Sequence, residues 1–231
     1  MKTPLHFLRT LLLGMALVSG GTVAALAQTY TVSLSTDALN ANSASEPFSL
    51  DFQFVDGSGT GDANNTITLK NFNFSSGGSL SSPASLSGGA SQSGGTFTIT
   101  DSSSFNEVLT PFTAGTSPNS TLSFQLTTTN HAETGAGSSP DELTFYVLDS
   151  NDNDVPTSDA AASSLVTIDL GAPGGPSITT FNGTTPYAGL DVSVTETPEP
   201  SSVATFMLGL AATAAIAGFR GRKPVRASCA N

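Results

Sequence analysis

The chain of 231 residues has no tryptophan, one cysteine, two histidines and only seven lysines and arginines. Each shortage closes a class of function. Cys229 has no partner for a disulfide and lies beyond an apolar segment, so neither disulfide stapling nor thiol chemistry belongs to the central region. His131 is the only histidine away from the first residues, too few nitrogen or sulfur ligands for a zinc site. Basic residues are confined almost wholly to the two ends: Lys2 and Arg9 at one, Arg220, Arg222, Lys223 and Arg226 at the other. Between them Lys70 alone stands against all 18 carboxylates. Surface ion pairs therefore cannot order this region, and apolar burial with backbone hydrogen bonding must hold it. The same imbalance excludes nucleic acid and anionic lipid as partners, and solubility is the plainest reason for it.

Long apolar runs are also scarce, and both are near the ends. Lys2 and Arg9 precede the run Leu11 to Val18, Gly20-Gly21 interrupts it, and Ala25-Leu26-Ala27 follows as a small-x-small site. This reads as a signal peptide over residues 1–27, handled by the Sec translocon and signal peptidase, with Gln28 as the new first residue. No cysteine follows the apolar run, which excludes lipoprotein processing. The second run, Ser201 to Phe219, carries no charge and would span roughly 28 Å as a helix, about one hydrocarbon thickness. A transmembrane helix is predicted over 202–219, with the basic residues 220–226 holding its far end in the cytoplasm. Ahead of it, Pro198 and Pro200 remove backbone donors and hold Glu199 extended, which leaves the tripeptide accessible to a processing enzyme.

Pro198-Glu199-Pro200, the apolar segment and the basic tail Arg220, Arg222, Lys223 and Arg226, in that order, resemble the PEP-CTERM sorting signal. That resemblance implies an exported bacterial protein, recognised and cut by a membrane-embedded exosortase after transient anchoring in the inner membrane. Its implied destination is the cell surface or an exopolysaccharide matrix. The tail gives a destination and leaves the activity of the exported part open.

Residues 28–195 form the predicted ectodomain, long enough for one domain burying about 70% of its unfolded surface. Apolar residues there alternate with polar ones: Tyr30-Val32-Leu34, Phe48-Leu50-Phe52-Phe54, Ile67-Leu69 with Phe72-Phe74, Phe97-Ile99, Leu122-Phe124-Leu126, Leu143-Phe145-Val147, Val166-Ile168-Leu170 and Leu190-Val192-Val194. Each reads as a half-buried strand. Turn-forming clusters separate them, among them DGSGTGDANN at 56–65 and GAPGGP at 171–176, and no segment shows a helical apolar stripe. The Ser/Gly run at 75–95 fits either a flexible loop or thin edge strands, with Leu80, Ala84 and Leu86 on the side of strand. The expected fold is an all-β, antiparallel, jelly-roll-like sandwich. FSLDFQFVDGSG at 48–59, ITLKNFNF at 67–74, TDSSSFNE at 100–107, PDELTFYVLDS at 140–150 and LVTIDL at 165–170 are similar to a β-rich ectodomain that recurs among PEP-CTERM proteins, a resemblance that carries over no functional positions.

Catalytic signals are sparse. His131 sits in a polar stretch without a nucleophile elbow, and Asp51 and Glu107 are candidate glycosidase carboxylates only by lying on or beside strands. No catalytic residues and no obligatory cofactor are predicted. Calcium is the one metal to weigh: Asp149, Asn151 and Asn153 place oxygens at alternate positions as in the start of an EF-hand loop. Asp154 stands where that loop needs glycine and Ala160 where it needs glutamate, and a solvated turn is the alternative. Asp56 and Asp62 offer a weaker calcium set. For a ligand, Tyr146 is the candidate, because it is out of phase with Phe145 and one of the two must face outward. The leading expectation is a structural or adhesive matrix protein, the alternative a carbohydrate-binding module, and a secreted hydrolase the third.

Overall fold

The structure, a computed structural model, describes residues 27–81, 83–116, 118–133, 139–171 and 175–197. Among the described residues about 51% are strand and 5% helix, in two antiparallel sheets. The first sheet has the order β13 (Val192–Glu196), β1 (Gln28–Ser35), β9 (Thr121–Thr128), β3 (Thr66–Phe74), β7 (Thr96–Thr100), β6 (Gly89–Ser93). The second has β12 (Ser177–Thr180), β11 (Val166–Leu170), β10 (Asp141–Leu148), β2 (Phe48–Val55), β8 (Phe105–Thr113), β4 (Ser79–Leu80), and β5 (Ser85–Ser87) also pairs with β8. Residues 1–26 of the predicted signal peptide, the helix 202–219 and its basic residues lie outside the described residues. Among the described residues no helix is long and apolar enough to cross a membrane.

The two sheets face each other over one apolar core, because the alternating residues of each strand turn to the same interior. Its centre is aromatic. Phe52 stacks on Phe145 within the second sheet at 4.8 Å, and Phe72 on Phe124 within the first at 5.1 Å. The two pairs meet edge to face across the gap, Phe52 with Phe124 at 5.4 Å and Phe124 with Phe145 at 5.7 Å. These are the arrangements a ring quadrupole favours.

The break in phase between Ile67-Leu69 and Phe72-Phe74 has a structural cause. The pairing of β3 with β9 shifts register between Lys70 and Asn73, and Asn71 takes a positive φ of 58°. One extra residue at this bulge turns Phe72 inward as well as Leu69, and Asn tolerates the left-handed backbone that this needs.

Strand β8 carries no readable alternation because two of its buried positions, Asn106 and Thr110, are polar. Asn106 is satisfied there: its Nδ2 donates to the carbonyls of Phe54 and Ser103, and its Oδ1 accepts from Gly89 N. Pro111 also disguises the strand. Ser81 N donates to Pro111 O at 2.7 Å, so the side of Pro111 that lacks an N–H faces the edge where β4 ends and β5 has yet to begin. The Ser/Gly run 75–95 is accordingly three thin strands, β4, β5 and β6, rather than a loop.

One short helix, α1 (Asp37–Ala41), had no sequence signal. It covers the end of the sandwich where β1 finishes and β9 starts, with Leu39 fully buried. Asp37 ties it down by accepting the backbone N–H groups of Asn119 and Ser120 at 2.7 and 2.8 Å. The domain closes with β13 running to Glu196, one residue past the expected boundary at 195.

Candidate functional site: a carboxylate cluster at one end of the sandwich

At the end opposite α1, strands β2, β7 and β9 finish and β3 and β10 begin. Asp56 follows β2 directly, Asp101 follows β7 directly, Asp141 opens β10, and Glu133 lies in the segment after β9. Oxygens from these four carboxylates all lie within 4.8 Å of one another. Asp56, Asp101 and Asp141 are buried and Glu133 is half-buried. Two of the four come from the second sheet and two from the first, so the cluster spans the gap between them.

Asn65, fully buried just before β3, organises this end. Its backbone N–H donates to Asp101 Oδ2 at 2.9 Å and its Nδ2 to Asp141 Oδ2 at 2.7 Å. Nδ2 also donates to His131 O, and Oδ1 accepts from His131 N and Thr129 Oγ1, which pins the segment carrying Glu133. Gly57 N donates to the other oxygen of Asp141 at 2.7 Å. No side chain fits at Gly57, because a Cβ there would lie 2.0 Å from Ser139 O. Asp56 accepts from Ser58 N, Ser58 Oγ and Gly61 N, and Gly61 holds a φ of 75° that glycine tolerates at no steric cost.

The electrostatics follow from this geometry. Burial pushes the Asp101 carboxyl up, the Asn65 N–H opposes that, and the adjoining Asp141 raises it further, for a net upward move. Glu133 is also raised, by burial first and then by Asp141 and Asp62, against the opposing Asn64 side chain. Burial raises Asp56 too, but its hydrogen bonds from Gly61 and Ser58 outweigh that and hold it below the ordinary value. No cation offsets the cluster: Lys70, the only lysine or arginine among the described residues, is in mid-strand opposite Gln125.

The other expected positions fall elsewhere. Asp149, Asn151 and Asn153 form a hydrogen-bonded turn, with Asp149 Oδ1 accepting from Asn151 N at 2.8 Å and Asn153 N at 3.0 Å. Those hydrogen bonds hold the Asp149 carboxyl below its usual range. Asp62 is exposed and accepts from Asn64. His131 is exposed and held by its backbone. Tyr146 is half-buried on the outer face of the second sheet, with Phe145 turned to the core. It pairs in register with Asp51, and Gln53 and Glu107 follow on the same face. Pro198, Glu199, Pro200, Ala25, Arg220, Arg222, Lys223 and Arg226 lie outside the described residues, while Ala27 precedes β1 and Gln28 opens it.

Sequence reasoning singled out Asp56 and passed over Asp101, Glu133, Asp141 and Asn65. A signal was present: three alternating apolar stretches abut an aspartate directly, at Phe54-Val55-Asp56, Ile99-Thr100-Asp101 and Asp141-Glu142-Leu143. Fold and site together define a β-sandwich-like domain with a carboxylate cluster bridging its two sheets at one end. The chain matches no family model, no curated protein and no solved structure, so its function is argued from its own residues.

Proposed function

We propose that this chain is an exported, non-catalytic protein of the cell surface or an exopolysaccharide matrix, with a structural or adhesive role. On this reading the Sec translocon and signal peptidase process residues 1–27, and an exosortase of the PEP-CTERM system cuts at Pro198-Glu199-Pro200. The segment 202–219 anchors the chain in the inner membrane in transit. One observation carries the reading: the folded domain fills the interval between the two processing sites. Its first strand begins at Gln28 and its last ends at Glu196. A jelly-roll-like path is proposed with it, supported by nested pairing of β1 with β13, β2 with β10 and β3 with β9. Intact-mass analysis of the protein from its native host is expected to give a species starting at Gln28 and ending between Pro198 and Pro200. A mature product that still carries Cys229 overturns the sorting reading.

A carbohydrate-binding module is the second reading, and the placement of the tyrosines favours it over hydrolysis. Tyr30 and Tyr187 are buried, whereas Tyr146 is half-buried on an outer sheet face beside the half-buried Gln53 and Glu107. Sugar sites combine an aromatic face with such groups, a likeness of chemistry that fold alone does not supply. On a glycan array this reading expects binding by the wild type that Tyr146→Ala reduces at least tenfold, with an unchanged melting temperature. A wild type that binds no glycan removes it.

A further inference from the structure

We propose that Asp56, Asp101, Glu133 and Asp141 hold one calcium ion, which clasps the two sheets together at this end of the sandwich. The inference is independent of the sorting reading and assigns the site a ligand from geometry.

Calcium binds oxygen at about 2.3–2.6 Å, so any two of its ligands lie at most about 5 Å apart. Carboxylate oxygens that all fall within 4.8 Å of one another fit on that sphere. Magnesium requires about 2.0–2.1 Å, near-ideal octahedral order and several retained waters, which suits this closely spaced, buried carboxylate set less well. With four carboxylates and no nitrogen or sulfur among the donors, the set is that of a hard cation rather than zinc or copper.

A second observation points to a ligand. Asp101 is wholly shielded from solvent, and its Oδ2 is engaged by Asn65 N, yet its Oδ1 has no hydrogen-bond partner. Glu133 Oε2 is likewise buried and without a partner, while its Oε1 accepts from Asn64. Both unpartnered oxygens belong to carboxylates of this cluster. A buried acceptor without a partner is destabilising, and more so when it is charged. Like charges held this close in a poorly solvated site repel strongly. Four such groups have two ways out: share protons, or bind a cation.

Hydrogen bonding favours the cation. Every N–H that reaches Asp56, Asp101 and Asp141 stabilises the ionised form, and Asp141 takes one such donor on each oxygen. The ion would join Asp56 and Asp141 of one sheet to Asp101 and Glu133 of the other. It therefore opposes their separation directly.

The test uses the full-length chain, purified in mild detergent and stripped with EGTA, then titrated with calcium or magnesium chloride by calorimetry and thermal melting. Calcium is expected to bind with a stoichiometry of one, and to raise the melting temperature by about 5–10 °C at about a hundred times Kd. Magnesium is expected to give less than half that shift. Asp101→Asn keeps an acceptor for Asn65 N and is expected to abolish the calcium shift, as is Glu133→Gln at the half-buried position should Asp101→Asn fail to fold. Asp149→Asn is expected to retain the shift. Absence of calcium heat and of any shift in the wild type overturns the proposal. So does loss of the shift in Asp149→Asn with its retention in both cluster variants. A metal-free shared-proton network gives a third distinct result that overturns it: Asp101→Asn melts higher than the wild type while calcium changes neither.

Discussion

Phe52→Ala is expected to lower the stability of the domain by about 3–5 kcal/mol, the largest effect of any single truncation in the core. For a domain of this size that is a fall in melting temperature of about 6–20 °C. Phe52 is fully buried and is the ring on which the two aromatic pairs converge, stacking on Phe145 and meeting both Phe124 and Phe72 edge to face. Its loss removes apolar contact on both sheets, and rigid rings cannot collapse into the space. Phe105→Ala, at an exposed position on the outer face, is expected to change stability by less than about 1 kcal/mol. Urea unfolding of the two variants at fixed calcium measures the contrast. A cost below about 1.5 kcal/mol for Phe52→Ala would place the centre of the core elsewhere.

The second large effect depends on pH. Asp51 is buried on the outer side of β2, with Oδ2 accepting from Gln53 Nε2 and Oδ1 unpartnered. Burial pushes its carboxyl from 3.8 up to about 6, the Gln53 hydrogen bond opposes that, and the negative charges of Glu107 and Asp154 add to it. Tyr146, opposite Asp51, and Glu142 complete the titratable groups around it, and Tyr146 is itself raised, first by burial. Because the folded value lies above the unfolded one, the native state binds the extra proton. The contribution of Asp51 is therefore intact below about pH 4, falls as pH rises through the interval up to about 6, and is lost above it. Complete ionisation costs the fold about 3 kcal/mol. At lower pH the opposite group of carboxylates takes over, since Asp37, Asp149 and Asp159 are held below their usual range by hydrogen bonds and lose that support on protonation. Maximum stability near pH 4–5 is the expected result in EGTA-containing buffers, where the raised carboxyls of Asp101, Glu133 and Asp154 add to the same trend. Asp51→Asn is expected to flatten the decline between pH 5 and 8 and to be more stable than the wild type at pH 8. If the variant is instead less stable at pH 8, the ionised carboxylate has a favourable partner there and the account of Asp51 is wrong.

Much of the sandwich was legible because period-two burial writes itself into a sequence. Val32, Phe52, Phe124 and Phe145 occur at the interior positions that alternation assigned them. Even the phase break before Phe72 was visible, although only the bulge at Asn71 explains it. Strand β8 was not legible, since Asn106 and Thr110 occupy interior positions and Pro111 is a poor strand residue anywhere but beside an interrupted edge. Edge strands β4, β5, β6 and β12 carry too little apolar surface to signal themselves. The carboxylate cluster at the strand ends was not legible as a group, and the Asp/Asn loop drew attention instead. Alternating Asp and Asn from 149 to 154 look like a chelating loop in one dimension, and in three they satisfy one another as a turn.

By itself the sequence determined which face of most main strands is buried, β8 excepted, that no disulfide or basic surface contributes, and the order of end segments on which export is proposed. Tertiary structure alone decided which strand ends meet. Alternation specifies a face but not a neighbour, and neighbours are chosen by how two sheets bury their apolar sides together. Asp56, Asp101, Glu133 and Asp141 are distant along the chain and generic in composition. They become a site only because that choice of neighbours brings their strand ends to one corner of the fold.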